Sequence, residues 1–285
     1  MAAKVSLTVC TKNGGERLGT CLDHIEAMDA PAGMELFLVD NGSDDGTSFE
    51  RLHAFAARSR YDVRVRQTFV PGNSAGRNVA LAEATGDIHI FVDDDCYADE
   101  GLVRNWLRVF ASDPKLGFGS GRVWRHDPAT SMSGCVEYPE IRYMPPGKFI
   151  WRGFVQGSNM AFRRECLEEI GRFDPRFGSG TPLAGEDWDM GLRASAAGWA
   201  GVYSPDAAVS HDHRRTDDNI TERELYYYYG GGAIFAKHTF SRKGVRIFRE
   251  FVRETGKLKS KPDFRDAMRK GYRDFLIHRG AAKAA

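Results

Sequence analysis

Apolar residues fall in short, β-branched runs that alternate with polar breaks and with stretches of helical spacing. Residues 5–10 form one such run, ending in Thr11-Lys12-Asn13-Gly14-Gly15, after which Leu18, Leu22 and Ile25 recur at helical spacing; this predicts strand, loop and helix. Residues 35–39 repeat the pattern, running into Asp40-Asn41-Gly42-Ser43 and then a helix carrying Phe49, Leu52, His53 and Phe55. A third strand is expected over 63–70, a helix over 78–84 that stops at Gly86, and a fourth apolar strand over 88–92 that leads straight into Asp93, Asp94 and Asp95. Strands alternating with helices imply an α/β fold built on a mainly parallel sheet with helices on both faces. In such sheets ligands bind beyond the carboxyl ends of the strands. Thr11, Asp40, Gly72-Asn73 and Asp93 to Asp95 all stand at such ends, so one rim should gather them.

From Asp99 the pattern changes. A helix to Phe110 precedes a glycine-rich segment, 117–123, and a proline- and aromatic-rich stretch, 138–154. Strand then helix are expected over 157–162 and 165–170, another helix over 186–197, and a strand over 201–203. Past Thr221 come four tyrosines, 226–229, three glycines, and a helical tail rich in Lys and Arg over 242–283.

Composition bounds this picture. At 285 residues, 42% hydrophobic and 28% charged, the chain suffices for one large α/β domain or a medium one with a helical appendage. With 40 basic and 39 acidic residues, nothing in the balance points to a nucleic-acid partner. Five scattered cysteines fit neither a disulfide framework nor a structural zinc site, which favours a reducing compartment. The N-terminal apolar run is too short for a signal peptide, and no stretch approaches the roughly 20 apolar residues of a membrane-spanning helix. The expected location is cytoplasmic. The basic tail carries Phe248, Phe251, Phe264, Tyr272 and Phe275 among its cations; of its two readings, a solvated face covering the domain is preferred to a peripheral membrane contact.

Three adjacent carboxylates after a buried strand repel one another unless a cation is present. Hard oxygen ligands suit Mg²⁺ or Mn²⁺, which share their coordination with substrate phosphates; the competing reading is a solvated acidic loop or a helix N-cap. Taken with Thr11-Lys12-Asn13, the stretch from Val39 to Thr47, the Gly72-Asn73-Ser74-Ala75-Gly76-Arg77-Asn78 segment, Gly157-Ser158-Asn159-Met160-Ala161-Phe162-Arg163 and Gly185-Glu186-Asp187-Trp188-Asp189, the sequence resembles family 2 of the inverting glycosyltransferases, whose fold is known as GT-A.

The resemblance implies a catalytic domain over 1–222, with 1–97 binding the nucleotide sugar and 98–222 the acceptor, and a helical, basic extension over 223–285. It implies that Asp40 reads the donor's base beside Thr11, that Asn13, Ser43, Asn73 and Arg77 line the donor site with Arg77 near the diphosphate, and that Asp93 or Asp94 meets the ribose. Asp95 becomes the metal ligand, with His211 completing the shell of Mn²⁺ or Mg²⁺. Ala98 stands where many relatives have proline. On the acceptor side it implies Asn159, Glu186 and Trp188, with Asp187 as the general base. Ordinary turn, helix-cap and packing roles stay open for Ser43, Glu186 and Trp188 respectively. The expected reaction moves a sugar from a UDP-, GDP- or dTDP-sugar to a hydroxyl of a saccharide or glycolipid, in polysaccharide, glycolipid or glycoconjugate synthesis of bacterial type. The alternatives are a nucleotidyltransferase acting on sugar phosphates and a non-catalytic sugar-nucleotide-binding protein.

Overall fold

The computed structural model describes residues 3–31, 33–241 and 243–281; Arg242 and Lys283, the ends of the basic tail, lie outside them. In the first half β1 (Val5–Thr11), α1 (Gly15–Ala27), β2 (Glu35–Asp40), α2 (Ser48–Arg58), β3 (Asp62–Gln67), α3 (Asn73–Leu81) and β4 (Ile88–Asp93) alternate as the pattern requires. Leu7, Val9, Leu36, Leu38 and Ile90 of the central strands pack on Leu18, Leu22 and Ile25 of α1, forming one buried cluster. All these strands are parallel, with β1 between β2 and β4. The register sets Thr11 beside Asp40 and Cys10 beside Asp93, so the polar residues at the strand ends become neighbours on one rim.

Two expectations shift. The third strand ends at Gln67, and Phe69 and Val70 are exposed. Helix α3 starts at Asn73, five residues earlier than the apolar spacing suggested, because Gly72, at φ 98°, turns the chain into it. Its early residues are small, which lets α3 lie close on the sheet: a Cβ on Gly76 would stand 2.9 Å from the Cys10 sulfur.

The second half comprises β5 (Cys96–Ala98), α4 (Leu102–Ser112), β6 (Leu116–Arg125), β7 (Arg142–Met144), β8 (Asn159–Arg163), α5 (Arg164–Ile170), α6 (Glu186–Ala197) and β9 (Ala200–His211). β8 adds antiparallel to β4, β6 pairs antiparallel with β8 and parallel with β9, and β5 and β7 pair antiparallel with β9. The sheet, ordered β3-β2-β1-β4-β8-β6-β9-β5 with β7 also on β9, is therefore parallel up to β4 and mixed beyond it. The glycine-rich segment is strand β6 because its neighbours need the space of the missing side chains: Trp199, Trp106 and Asn159 would collide with a Cβ on Gly117, Gly119 and Gly121.

Helices α7 (Thr221–Thr239), α8 (Gly244–Lys257) and α9 (Pro262–Ala281) follow. Ile234 and Phe235 of α7 and Met268 and Phe275 of α9 are buried in one cluster with Trp188 and Met190 of α6, so the C-terminal extension shares the core of the domain it follows. The three-glycine run makes this possible. A Cβ on Gly232 would strike the Met268 carbonyl, and one on Gly271 the Tyr229 carbonyl, so α7 and α9 touch backbone to backbone. No helix among the described residues is long and apolar enough to cross a membrane.

Gly232→Ala and Gly271→Ala are each expected to lower the unfolding free energy by about 1–3 kcal/mol, the usual cost of overpacking. Urea denaturation measures it; a loss within about 0.5 kcal/mol, the scale of an ordinary surface change, would mean that the helices part without cost.

Candidate functional site

The rim opens into two cavities. The first, of about 430 Å³, is bounded by Thr11, Asn13, Asn41, Asp94, Asp95 and Arg215 among others. The second, of about 280 Å³, is bounded by Arg152, Glu186, Asp187, Trp188 and Tyr226. Asn73, Asp93, Ser179, His211, Arg223 and Tyr227 face both, so the two form one continuous cleft with Asp93 at the junction.

The carboxylates at the end of β4 have separate partners. Asp93 pairs with Arg77 at 2.9 Å, and Asp94 accepts a hydrogen bond from the Thr11 hydroxyl. Asp95 pairs with Arg17 at 3.1 Å and lies 3.4 Å from Nε2 of His211. These surroundings push the three apart. Burial and then the adjacent Asp95 charge raise Asp94 to about 7; burial raises Asp93 against the pull of Arg77. Asp95, although buried, is lowered by its bond to His211. Burial opposes protonation of His211, but the Asp95 hydrogen bond outweighs it and lifts the imidazole to about 10.

This donor set fits a divalent cation. Asp95 and His211 bring an ionised carboxylate and an imidazole together, a combination suited to Mn²⁺ and, through oxygen, Mg²⁺. The Cys96 thiol stands in the same group, yet burial keeps its pKa well above the ordinary thiol value, so it is a poor ligand for a hard ion. Nδ1 of His211 and the Oδ1 atoms of Asn41 and Asn73 are buried without hydrogen-bond partners. Each such atom costs about 1–3 kcal/mol, and all three lie on residues lining the cleft, where a bound ligand can supply what is missing.

The remaining expected residues divide. Asn13, at φ 56°, is locked by a reciprocal pair with Asp44: its Nδ2 donates to Oδ1 of Asp44 and its Oδ1 accepts the Asp44 N–H. The hydroxyl of Ser43 accepts the N–H of Asn13, so Ser43 shapes the loop from behind. Asp40 is buried at the end of β2, accepting 2.8 Å from Gln67 Nε2 and 3.3 Å from the Ser43 N–H; its neighbour Asn41 is the residue that reaches the cavity.

Arg77 and Asn159 sit elsewhere than expected. Arg77 points inward from α3, its guanidinium donating to Asp93, Glu186 and the Gly157 carbonyl at 2.8–3.0 Å; it forms neither cavity wall. Asn159 is wholly buried. Its amide donates to the carbonyls of Arg122 and Ala207 and accepts from the Trp106 indole, which uses it to tie the sheet to α4 and leaves nothing for an acceptor. Trp188 is 2% exposed, donates to the Ile150 carbonyl and meets Phe149 and Phe235 edge-on, so it backs the cavity wall from the core.

Asp187 opens α6 after Gly185, which takes the left-handed conformation. One carboxylate oxygen accepts the Gly157 N–H at 2.9 Å and the other the Trp188 N–H at 2.6 Å. Burial, and then the neighbouring Glu186 charge, raise its pKa to about 7 despite those bonds. A carboxylate that is fixed in place, faces a cavity and titrates near neutrality is suited to general-base work. Glu186 accepts from Arg77 and from Asn73. Arg223, which faces both cavities, had no assigned role in the sequence; its approach to the cleft, like that of Arg152 and Tyr227, depends on the packing of α7. Of the four tyrosines, Tyr226 and Tyr227 face the cleft, whereas Tyr228 stacks on Phe264 and Tyr229 bonds to Asp274.

A parallel half-sheet ending in carboxylates, joined edge to edge to a mixed half that brings one more carboxylate across the cleft, is the arrangement of the GT-A glycosyltransferases. Residues 2–230 match the family described as "Glycosyltransferase like family 2", and the chain belongs to that family. Among relatives, it is 25% identical to the glycosyltransferase AglE of Haloferax volcanii over 74% of this chain and 67% of that one. It is 28% identical to an N-acetylglucosaminyl-diphospho-decaprenol L-rhamnosyltransferase of Mycobacterium tuberculosis, over 62% and 66%. Against the O-antigen biosynthesis protein RfbC of Myxococcus xanthus it is 26% identical over 78% of its length but spans only 18% of that protein. In fold it is similar to the mannosyltransferase PcManGT from Pyrobaculum calidifontis, solved with GDP-Man and Mn²⁺, at a TM-score of 0.67 and 21% identity over 100% of this chain and 76% of that one. A second neighbour is residues 1–349 of S. aureus TarS with UDP-GlcNAc, at a TM-score of 0.60 and 16% identity over 86% and 69%.

Arg77→Met should lower the unfolding free energy by about 3–5 kcal/mol, because it leaves Asp93 and Glu186 as uncompensated charges. Chemical denaturation reads this directly. A direct diphosphate contact would instead leave stability intact and raise only the KM for the donor.

Proposed function

We propose that the protein transfers a sugar from a nucleotide-diphosphate sugar to a hydroxyl acceptor with inversion at the anomeric carbon, and that Asp187 is the base. The observation that carries this reading is the placement of Asp187 across the cleft junction from the Asp93–Asp95 rim, in a setting that raises its pKa toward neutrality. The donor occupies the larger cavity. Its base lies toward Thr11, Asn41 and the buried Asp40; its ribose lies toward Asp93 or Asp94; Asn13 and Asn73 frame the diphosphate side. The GDP-Man and UDP-GlcNAc bound by the two structural neighbours support a donor of this class, with UDP, GDP or dTDP as the nucleotide.

Asp95 and His211 would hold Mn²⁺ or Mg²⁺, which when bound supplies positive charge against the leaving diphosphate. The acceptor, a saccharide or glycolipid, enters the smaller cavity beside Glu186. Its hydroxyl gives its proton to Asp187 as the oxygen attacks the anomeric carbon; the bond to the diphosphate oxygen breaks on the opposite face, and the nucleoside diphosphate leaves with the electron pair. The N–H bonds from Gly157 and Trp188 fix the carboxylate while leaving lone pairs for the incoming proton. The same reading keeps the enzyme cytoplasmic; the O-antigen biosynthesis protein among its relatives supports a part in polysaccharide or glycoconjugate synthesis.

Asp187→Asn should reduce turnover by about 10²–10⁴-fold, the usual contribution of a general base, with folding and donor binding retained; near wild-type turnover would remove the assignment. Because the base acts deprotonated and its folded pKa is raised, kcat/KM should fall as pH drops through about 7, a limb well above that of an ordinary carboxylate. Mn²⁺ at a hundred times its Kd should add about 2.7 kcal/mol of stability, seen as a thermal shift that grows with UDP-, GDP- or dTDP-sugar and disappears in Asp95→Ala. An equal shift in that variant would place the cation elsewhere.

A further inference from the structure

Helix α8 takes no part in the cleft: none of its residues lines either cavity. It has three faces. Gly244, Ile247 and Thr255 are buried against the domain, with Phe251 half-buried beside them and stacked on Tyr272. Val245, Phe248 and Val252, spaced three and four apart and so in one row, are 72%, 46% and 53% exposed. Displaced by one residue, and therefore about 100° around the helix, a row of the same spacing carries Arg246, Arg249 and Arg253, all exposed. A helix that had only to cover the domain would need the first face alone. This one is amphipathic a second time, toward solvent.

The charge around it is lopsided. Residues 242–283 carry 14 Lys and Arg against 5 Asp and Glu, a net +9 in a chain whose total is +1, so the rest carries −8. Within α8, Arg253 pairs with Glu250 and Glu254, and Lys257 with Glu254. Arg246 and Arg249 have no acidic partner among the described residues; Arg246 donates only to the Gly147 carbonyl.

We propose that the exposed side of α8 docks on an anionic lipid surface, with Val245, Phe248 and Val252 entering the interface and Arg246 and Arg249, flanked by Lys243, meeting the headgroups. An apolar row bordered by cations is what a helix lying in the plane of such a surface presents. The occupant is a bilayer and not a second copy of the chain, because self-association through this face would bring two +9 segments together, whereas anionic headgroups neutralise them. The proposal goes beyond the reading of the cleft and does not depend on it.

The test is co-sedimentation of the full chain with vesicles of phosphatidylcholine alone and of phosphatidylcholine with phosphatidylglycerol. Binding is expected only to the second, weakening as salt is added. Phe248→Ser with Val252→Ser should reduce the bound fraction about tenfold. Since Phe248 also lies near Phe251 and Tyr272, Arg249→Glu supplies an independent variant: it should keep the melting temperature and still lose the preference for phosphatidylglycerol. Failure to pellet with either vesicle, or equal pelleting with both, overturns the proposal. So does a concentration-dependent dimer abolished by the double variant in the absence of vesicle binding, which would make a second copy the occupant.

Discussion

The buried guanidinium of Arg77 holds the two halves of the cleft at their working distance. It is 2% exposed, and its partners come from three separate parts of the chain: Asp93 at the end of β4, Glu186 at the start of α6, and the carbonyl of Gly157 just before β8. A buried ion pair gains little over well-packed apolar side chains, because desolvation offsets most of the attraction. What Arg77 provides is geometry. Its planar fork meets both carboxylates and the carbonyl together, and with Phe173 near its guanidinium it has one orientation to adopt. Asp93 lies where the two cavities meet, Glu186 adjoins Asp187, the proposed base, and the Gly157 N–H donates to that carboxylate. One cation therefore sets the spacing between the rim at Asp93 and Asp187, from behind the cavity walls.

The rim was legible in the sequence for a physical reason. Parallel strands must end on one side, so Thr11, Asp40, Asn73 and the three aspartates were bound to converge once the alternating pattern was recognised. Side-chain direction was not legible where it depends on how the second half joins. Asn159 shares its motif with residues that approach the cleft, yet β8 inserts antiparallel between β4 and β6, and the bare backbone at Gly121 turns its amide into the sheet. Arg77, expected near the diphosphate and just ahead of a helix from residue 78, stands inside α3, and a helix that packs on the sheet through Gly76 turns it inward. Asn41 stands among turn-forming residues, and its place in the cavity lining and its buried, unpartnered oxygen distinguish it.

The C-terminal segment shows the same limit on another scale. Its cations and aromatics admit both a cover for the domain, the preferred reading, and a surface for a membrane, since composition does not say which face of a helix is buried. The run Gly230-Gly231-Gly232 decides how close α7 comes to α9 and to the loop before α6; a Cβ on Gly230 would strike Ala184. That approach carries Arg223, Tyr226 and Tyr227 to the cleft. The glycines thus belong to the site as much as to the packing, although none of them offers a functional group other than backbone.

The cleft also holds carboxylates and amide oxygens that its own side chains leave unanswered. Buried carboxylates away from it are paired, as where Asp189 takes Arg193, Lys237 and His238 together and is driven far below the usual carboxylate range, those bonds outweighing its burial. Along the cleft, Asp94 and Asp187 are both pushed up to about 7, so the folded carboxyls hold their protons more tightly than the unfolded ones, and stability is lost as pH rises from about 4 to about 7 and then levels off. Asn41 and Asn73 add unpartnered oxygens to the same wall. A chain selected for stability alone would remove all four features. A ligand bearing hydrogen-bond donors, positive charge and a transferable proton would answer each of them, which is what the proposed pairing of a metal-bound nucleotide sugar with an acceptor hydroxyl offers.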